Sequence, residues 1–312
     1  MNKENLLTVW LRETRANFLI LSVFLVAIGV ALAFKYTANP ASDISALHVV
    51  LIAIGVISAH ISVNLFNEYS DYRTKIDFST PKTPFSGGSG ILVKGLLKPS
   101  SVLIAAIGTL LLAFAIGVYF TLMSHWSIAL IVLIGLFSIL AYTNFLTKYV
   151  MGELFSGLAL GSLVVIGTFI ALTAGPATAL SALLPVEVIF ISIPPGILTA
   201  LLLLLNEFPD ADADQKGGRK HIVIHYGKKR AAIIYSTGLF LTFFTIILLP
   251  IIGISSFWIY FALLPLPIAI KTSLTALHHY KDINKLIPAL GSNVITVLST
   301  DLLLAVTIFI HI

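Results

Sequence analysis

The sequence contains no cysteine. Disulfides, thiolate catalysis and cysteine-based metal sites are therefore excluded. Charge is scarce as well. Only 11% of the 312 residues are Asp, Glu, Lys or Arg, against about 25% in an ordinary soluble domain. In their place stand apolar residues, 58% of the chain, giving a mean hydropathy of +1.01. Low-complexity tracts are missing, and so is any polar stretch long enough to be a soluble domain. Residues 1–312 read as a single domain.

Roughly 20 consecutive apolar residues cross a bilayer as a helix. Such windows recur at about 17–35, 46–66, 101–121, 127–146, 152–174, 183–206, 232–253, 256–273 and 288–310. They predict an all-α polytopic membrane protein with nine transmembrane helices in a bundle. The first window is read as a span and not a cleavable signal, because no small-residue cleavage site follows it.

One side of this arrangement almost lacks basic residues. With the N-terminus inside, 18 of the 19 Lys and Arg fall on inside segments, and only Lys35 lies outside. That is a positive-inside pattern. It predicts a cell-membrane protein with the N-terminus cytoplasmic and the C-terminus outside. It also accounts for the net charge of +5 without nucleic acid as a partner.

Two inside connections are long and polar, at about 67–100 and 206–230. Each follows a hydrophobic helix, each opens with Asn, and four spans separate them. This predicts a pseudo-repeat of four-helix units, an arrangement that in membrane proteins often builds a site at the repeat interface. The first connection begins in "HISVNLFNEYSDYRTKID", residues 60–77, which carries Glu68, Asp71 and Asp77. A carboxylate near a bilayer is costly unless it is paired, metal-bound or in a wet cavity. As a helix, this stretch puts His60, Asn64, Asn67, Glu68 and Asp71 on one face. The second, "NEFPDADADQKGGRKHIVIHYG", does the same for Asn206, Glu207, Asp210 and Asp214, and turns Asp212 elsewhere.

Amide and carboxylate oxygens are hard ligands suited to Mg²⁺. Arg73 and Lys75 follow the first stretch; Lys216, Arg219 and Lys220 follow the second. Acids, a divalent ion and basic side chains together suit a polyphosphate. Hydrocarbon-facing walls suit an apolar tail on it, so a lipid diphosphate satisfies both. The bland alternative is solvated acids at a cytoplasmic helix end. It serves for one such stretch; two matched ones favour a site. The loop "TPFSGGSGIL" lacks the Gly-Lys-Ser/Thr of a phosphate-binding loop and is either a flexible connector or a lid. His60 reads as packed or pore-facing.

At these residues the sequence resembles the UbiA superfamily of intramembrane prenyltransferases, across essentially the whole chain. "NLFNEYSDYRTKID" is similar to the first acidic motif of the menaquinone-biosynthesis branch. Asn64, Asn67, Asp71 and Asp77 match it, and Glu68 stands where Asp is usual. In the second motif Asp210, Asp214, Gly218 and Gly227 match; Glu207 and Pro209 depart from it, and Arg219-Lys220 stands near its Gly-Lys. "AYTNFLTKYVMGELF" resembles the connection that would bring Tyr142 and Lys148 to the diphosphate, with Glu153 at the next helix start.

The resemblance implies transfer of a polyprenyl group from a polyprenyl diphosphate to an aromatic acceptor, 1,4-dihydroxy-2-naphthoate in that branch. It implies Asp71, Asp210, Asp214 and Lys148 as catalytic. Asn64, Asn67, Arg73, Tyr142, Lys148, Lys216, Arg219 and Lys220 would bind substrate. Mg²⁺ would be held by Asn67, Glu68, Asp71, Asp77, Asn206, Asp210 and Asp214. Other acceptors of the superfamily stay open: 4-hydroxybenzoate, a haem or chlorin, a glyceryl phosphate lipid. An ion-coupled transporter would need its acids at mid-membrane, whereas these sit at helix ends.

Overall fold

The computed structural model describes residues 5–80, 82–143 and 145–310, and among these every regular element is helical. A short amphipathic helix, α1 (Leu6–Glu13), precedes the bundle. Then follow α2 (Ile20–Tyr36), the single turn α3 (Pro40–Asp43), α4 (Ala46–Arg73), α5 (Pro99–Met123) and α6 (Ser127–Ala141). A broken segment comes next: α7 (Gly152–Phe155), a π-helical stretch Ser156–Ser162 and α8 (Leu163–Thr173). The second half holds α9 (Val186–Lys216), the short α10 (Ile222–Tyr226), α11 (Lys228–Ile251), α12 (Leu266–His279) and α13 (Ile283–Ile310).

Seven of these segments are long and apolar enough to cross a membrane: Ala16–Tyr36, α4, α5, Gly152–Thr173, α9, α11 and α13. The two remaining apolar windows form helix too, with different geometry. Phe257–Leu263 and α12 together pass as a span but meet at a 43° bend, where Pro265 stands at the break. Helix α6 has 15 residues, about 22 Å at a rise of ~1.5 Å per residue, short of a core about 30 Å thick. The outward face of the bundle is greasy, as at Ile104, Leu111 and Leu122 of α5. This is the surface a lipid solvent favours.

Two helices position the site because they outrun the apolar layer. Helix α4 starts where Ser45 caps the His48 N–H. It runs 28 residues and ends where Lys75 takes a left-handed conformation, φ +62°. Helix α9 runs 31 residues and stops at Gly217, with Gly218 at φ +85°. Pro194, Pro195 and Pro209 lie inside it. Each lacks an N–H and loosens the ladder there.

At Pro195 and Gly196 the π-helical stretch comes into backbone contact with α9. A Cβ on Gly161 would lie 2.6 Å from the Gly196 Cα, and Ser162 Oγ donates to the Ser192 carbonyl at 2.8 Å. Small residues allow such close approach between membrane helices. It carries the α6–α7 connection toward the end of α9.

At the opposite end of the bundle, Lys35 closes α2 and Glu187 opens α9. Lys35 Nζ lies 2.6 and 2.8 Å from the two Glu187 oxygens, and Tyr36 OH adds a bond of 2.9 Å. Lys35, expected on the charge-poor side, is thus paired.

Candidate active site

The extended ends of α4 and α9 converge on one cavity of about 290 Å³. From α4 it receives Asn64, Asn67 and Asp71, and from the following turn Asp77. From α9 it receives Asn206, Glu207, Asp210 and Asp214. Tyr142 and Arg219 also line it. The cavity thus gathers the face read in the second stretch and that of the first except Glu68, and Asp212, expected off that face, is exposed.

Arg219 ties the two halves together. Its Nη1 donates to Asp214 Oδ1 at 2.9 Å and its Nη2 to Asn67 Oδ1 at 2.9 Å and to Asp71 Oδ1. Asn67 Nδ2 in turn donates to Asp71 Oδ2 at 3.2 Å. The guanidinium is only 12% exposed. Buried carboxylates of this kind need a fixed cationic partner.

The glycine-rich loop closes over the acids from the side. Gly87 N donates to Asp210 Oδ2 at 3.1 Å, and Ser89 N donates to Glu68 at 3.0 and 3.1 Å. Gly88 has φ +68°, a conformation open to glycine, and packs its Cα side against the Asp77 carboxylate. Of the two readings left open, connector or lid, the hydrogen bonds favour the lid: the loop bridges both acidic stretches.

Glu68, expected among the metal ligands, faces away from the cavity lining. Both its oxygens are engaged, by Arg15 at 2.6 and 2.9 Å and by Ser89. The cause is the amphipathic α1, which lays Trp10 against the hydrophobic cluster around Leu65. That seats Arg15, at φ 54°, beside the end of α4. Glu13 on the same segment is fully buried and lies 2.5 Å from Ser89 Oγ, which is also 2.8 Å from Glu68. One hydroxyl proton cannot serve two carboxylates. Burial, then the Glu68 charge, pushes the Glu13 carboxyl up to about 7, which makes it a proton holder below that pH. Burial and the same neighbour push Asp77 up to about 8.

Four basic residues expected at the diphosphate are exposed and absent from the lining: Arg73, Lys148, Lys216 and Lys220. Arg73 follows Asp71 by two positions, as Lys216 follows Asp214. Two residues carry a helix about 200° round its axis, away from the acidic face. Arg73 lies over the Tyr69 ring instead, 5.9 Å from its centroid. Lys148 ends a 3₁₀ turn that buries Leu146 and Thr147 and turns the lysine out. Lys220 stays at the surface while its N–H bonds Thr147 O at 2.7 Å. The cations that do line the cavity are Arg219 and Arg15. Arg15 reads in the sequence as one more inside charge, and only the fold brings it to Glu68.

A second, apolar cavity of about 170 Å³ adjoins the first, with Val56, Ala59, Gly135, Ile139, Ala159 and Val164 common to both. An acid-bearing chamber therefore shares a wall with a hydrocarbon-lined one.

The chain that forms this bundle is matched by a family model. The model for the UbiA prenyltransferase family covers residues 22–290. The chain belongs to that family. It is 30% identical over 268 residues to the 1,4-dihydroxy-2-naphthoate octaprenyltransferase of Bacillus subtilis, a match covering 85% of this chain and 81% of the relative.

Solved structures share the fold. A UbiA homolog from Aeropyrum pernix, in its apo form, superposes with a TM-score of 0.63 at 18% identity, covering 95% of this chain and 98% of that one. A UbiA homolog from Archaeoglobus fulgidus bound to DMAPP and Mg²⁺ gives 0.56 at 15% identity, over 95% and 99%. This UbiA-family chain is a membrane-embedded prenyltransferase.

Proposed function

We propose that this prenyltransferase moves a polyprenyl group from its diphosphate to an aromatic acceptor of the 1,4-dihydroxy-2-naphthoate kind. The supporting observation is that the acidic chamber and the apolar one adjoin through shared lining residues. A lipid diphosphate has this polarity pattern along its length. The acceptor class is supported by the Bacillus relative.

The donor set fits Mg²⁺. Asp210 Oδ1 and Asn206 Oδ1 are buried without a hydrogen-bond partner. Asp71 and Asp77 line the same cavity, and hard oxygen donors in this number suit the ion. Asp71, Asp77, Asn206 and Asp210 would hold it; Asp214 positions Arg219. When bound, the ion would neutralise charge gathering on the departing diphosphate.

Arg219 and Arg15 hold the remaining phosphate charge through fixed N–H donors. The C1–O bond of the donor breaks, the electron pair leaves with diphosphate, and the C1 allylic cation is attacked by the acceptor ring. The ring then loses its proton to the released diphosphate and regains aromaticity. The apolar chamber keeps the tail extended, and the loop at 83–92 with the buried helix ends excludes water, which would quench the cation.

The two shorter apolar segments, α6 and the bent pair before α13, complete nine crossings in this reading, with two four-helix units related as a pseudo-repeat. The positive-inside pattern sets the acidic ends toward the cytosol.

The test is product analysis. Purified protein is incubated with labelled geranylgeranyl diphosphate, Mg²⁺ and separate acceptors: dihydroxynaphthoate, 4-hydroxybenzoate and a glyceryl phosphate lipid. A prenylated naphthoate identified by mass is expected. Transfer to the lipid alone would refute the aromatic reading.

A further inference from the structure

Beside the oxygen-rich set lies a different cluster. Glu153 at the start of α7, Glu207 on α9 and His221 before α10 are all buried, and each offers one ligand atom within 4.8 Å of the others. His221 Nδ1 is 3.4 Å from Glu207 Oε2. Tetrahedral sites with bonds of about 2.0–2.1 Å set ligand atoms roughly 3.3 Å apart.

The buried atoms lie within ion-pair range of one another but form no hydrogen bond. Glu153 Oε2, Glu207 Oε2 and both His221 ring nitrogens make no hydrogen bond, although the three residues are 3%, 7% and 2% exposed. Two carboxylates this close in low dielectric need a cation or a shared proton. The neighbouring guanidinium makes no hydrogen bond to either, because Arg219 Nη1 and Nη2 bond Asp214, Asn67 and Asp71.

The orienting contacts of a metal centre are also present. Ile222 N donates to the other Glu153 oxygen at 2.7 Å, and His221 Nε2 lies 3.3 Å from Asp214 Oδ2. A carboxylate behind a ligating imidazole fixes its tautomer and raises its basicity.

We propose that Glu153, Glu207 and His221 form a second cation site, for a transition ion such as Zn²⁺ or Co²⁺. An imidazole with two carboxylates favours such an ion over Mg²⁺, which suits all-oxygen sets. Glu207 and His221 line the main cavity, so the open coordination position faces that cavity and takes an oxygen ligand. The site does not depend on the acceptor assigned above, because it is read from metal binding and not from turnover.

The experiment uses the full-length protein in detergent, stripped with chelator and titrated with Co²⁺ in millimolar Mg²⁺. Retention of one equivalent is expected, with the intense visible absorption of a four- or five-coordinate ion. Glu153→Gln and His221→Asn should each weaken Co²⁺ at least ~tenfold, and Asp210→Asn should leave it in place. The wild-type result stands without the variants: Co²⁺ wholly displaced by Mg²⁺ would overturn the proposal in favour of a shared proton. Equal retention in Glu153→Gln and His221→Asn would overturn it as well.

Discussion

Individual charges in this protein act according to which face of a helix they occupy, and proximity in sequence misleads. Arg73 is two residues from Asp71 yet exposed, while Arg219 is 148 residues away and bonded to it. Arg219→Ala and Arg15→Ala are therefore expected to lower turnover at least ~tenfold, about 1.4 kcal/mol of barrier. Arg73→Ala and Lys148→Ala should cost much less, as initial rates at saturating and limiting donor would establish. Glu13 supplies a pH signature. Its folded value of about 7 lies above the ordinary 4.5. Between these values the folded state holds a proton that the unfolded chain has lost, so stability falls as pH rises through that window. In metal-free detergent, melting temperature should drop from about pH 5 to 8, and Glu13→Gln should flatten the drop; an unchanged slope would remove Glu13 from the account. The acids of the site were legible in the sequence because period 3.6 sets Asn64, Asn67 and Asp71 in register. Arg15, Glu13 and the bond from Ile222 N to Glu153 were not, since each depends on a tertiary approach across 50 or more residues.

Elements constrain the site through close approaches at glycine. The glycine-rich loop was ambiguous in sequence, for composition permits flexibility without stating what the backbone touches. Its Gly87 and Ser89 N–H groups turn out to bond both acidic stretches. At Gly88 a Cβ would stand 2.5 Å from Asp77 Oδ1 on a backbone with φ +68°. Gly88→Ala is expected to impair turnover sharply while the bundle melts near the wild-type temperature; normal turnover would show that the loop is a mere connector. At Gly161 the obstacle is backbone, with Pro195 O 2.9 Å from an added Cβ. Gly161→Ala should therefore lower stability by about 1–3 kcal/mol through overpacking, measured by thermal unfolding in detergent. The π-helical turn that makes this contact has no signature in hydropathy, which reports composition and not hydrogen-bond register.

For the whole molecule, nine apolar windows in the sequence became helix, and seven of them have the length of a span. The exceptions are intelligible. Pro265 breaks one segment, and α6 ends at Ala141, after which the chain turns through Tyr142 toward the cavity. Topology can be tested cleanly because the chain has no cysteine. Cysteine at Ser79 or Gln215, both exposed, should be blocked only by membrane-permeant reagents, and cysteine at Ser255 by an impermeant one from outside. The central claim is that two acidic helix ends, one from each half, hold one diphosphate through a divalent ion. Its most direct test is the Kd of a non-hydrolysable geranylgeranyl diphosphate analogue for wild type, Asp71→Asn, Asp210→Asn and the double variant, each with Mg²⁺ and with EDTA. Binding should weaken at least ~tenfold in EDTA and in each single variant, and the double variant should lose less than the sum, as groups sharing one ligand do. Full affinity in EDTA, or in both single variants with Mg²⁺ present, would contradict the account.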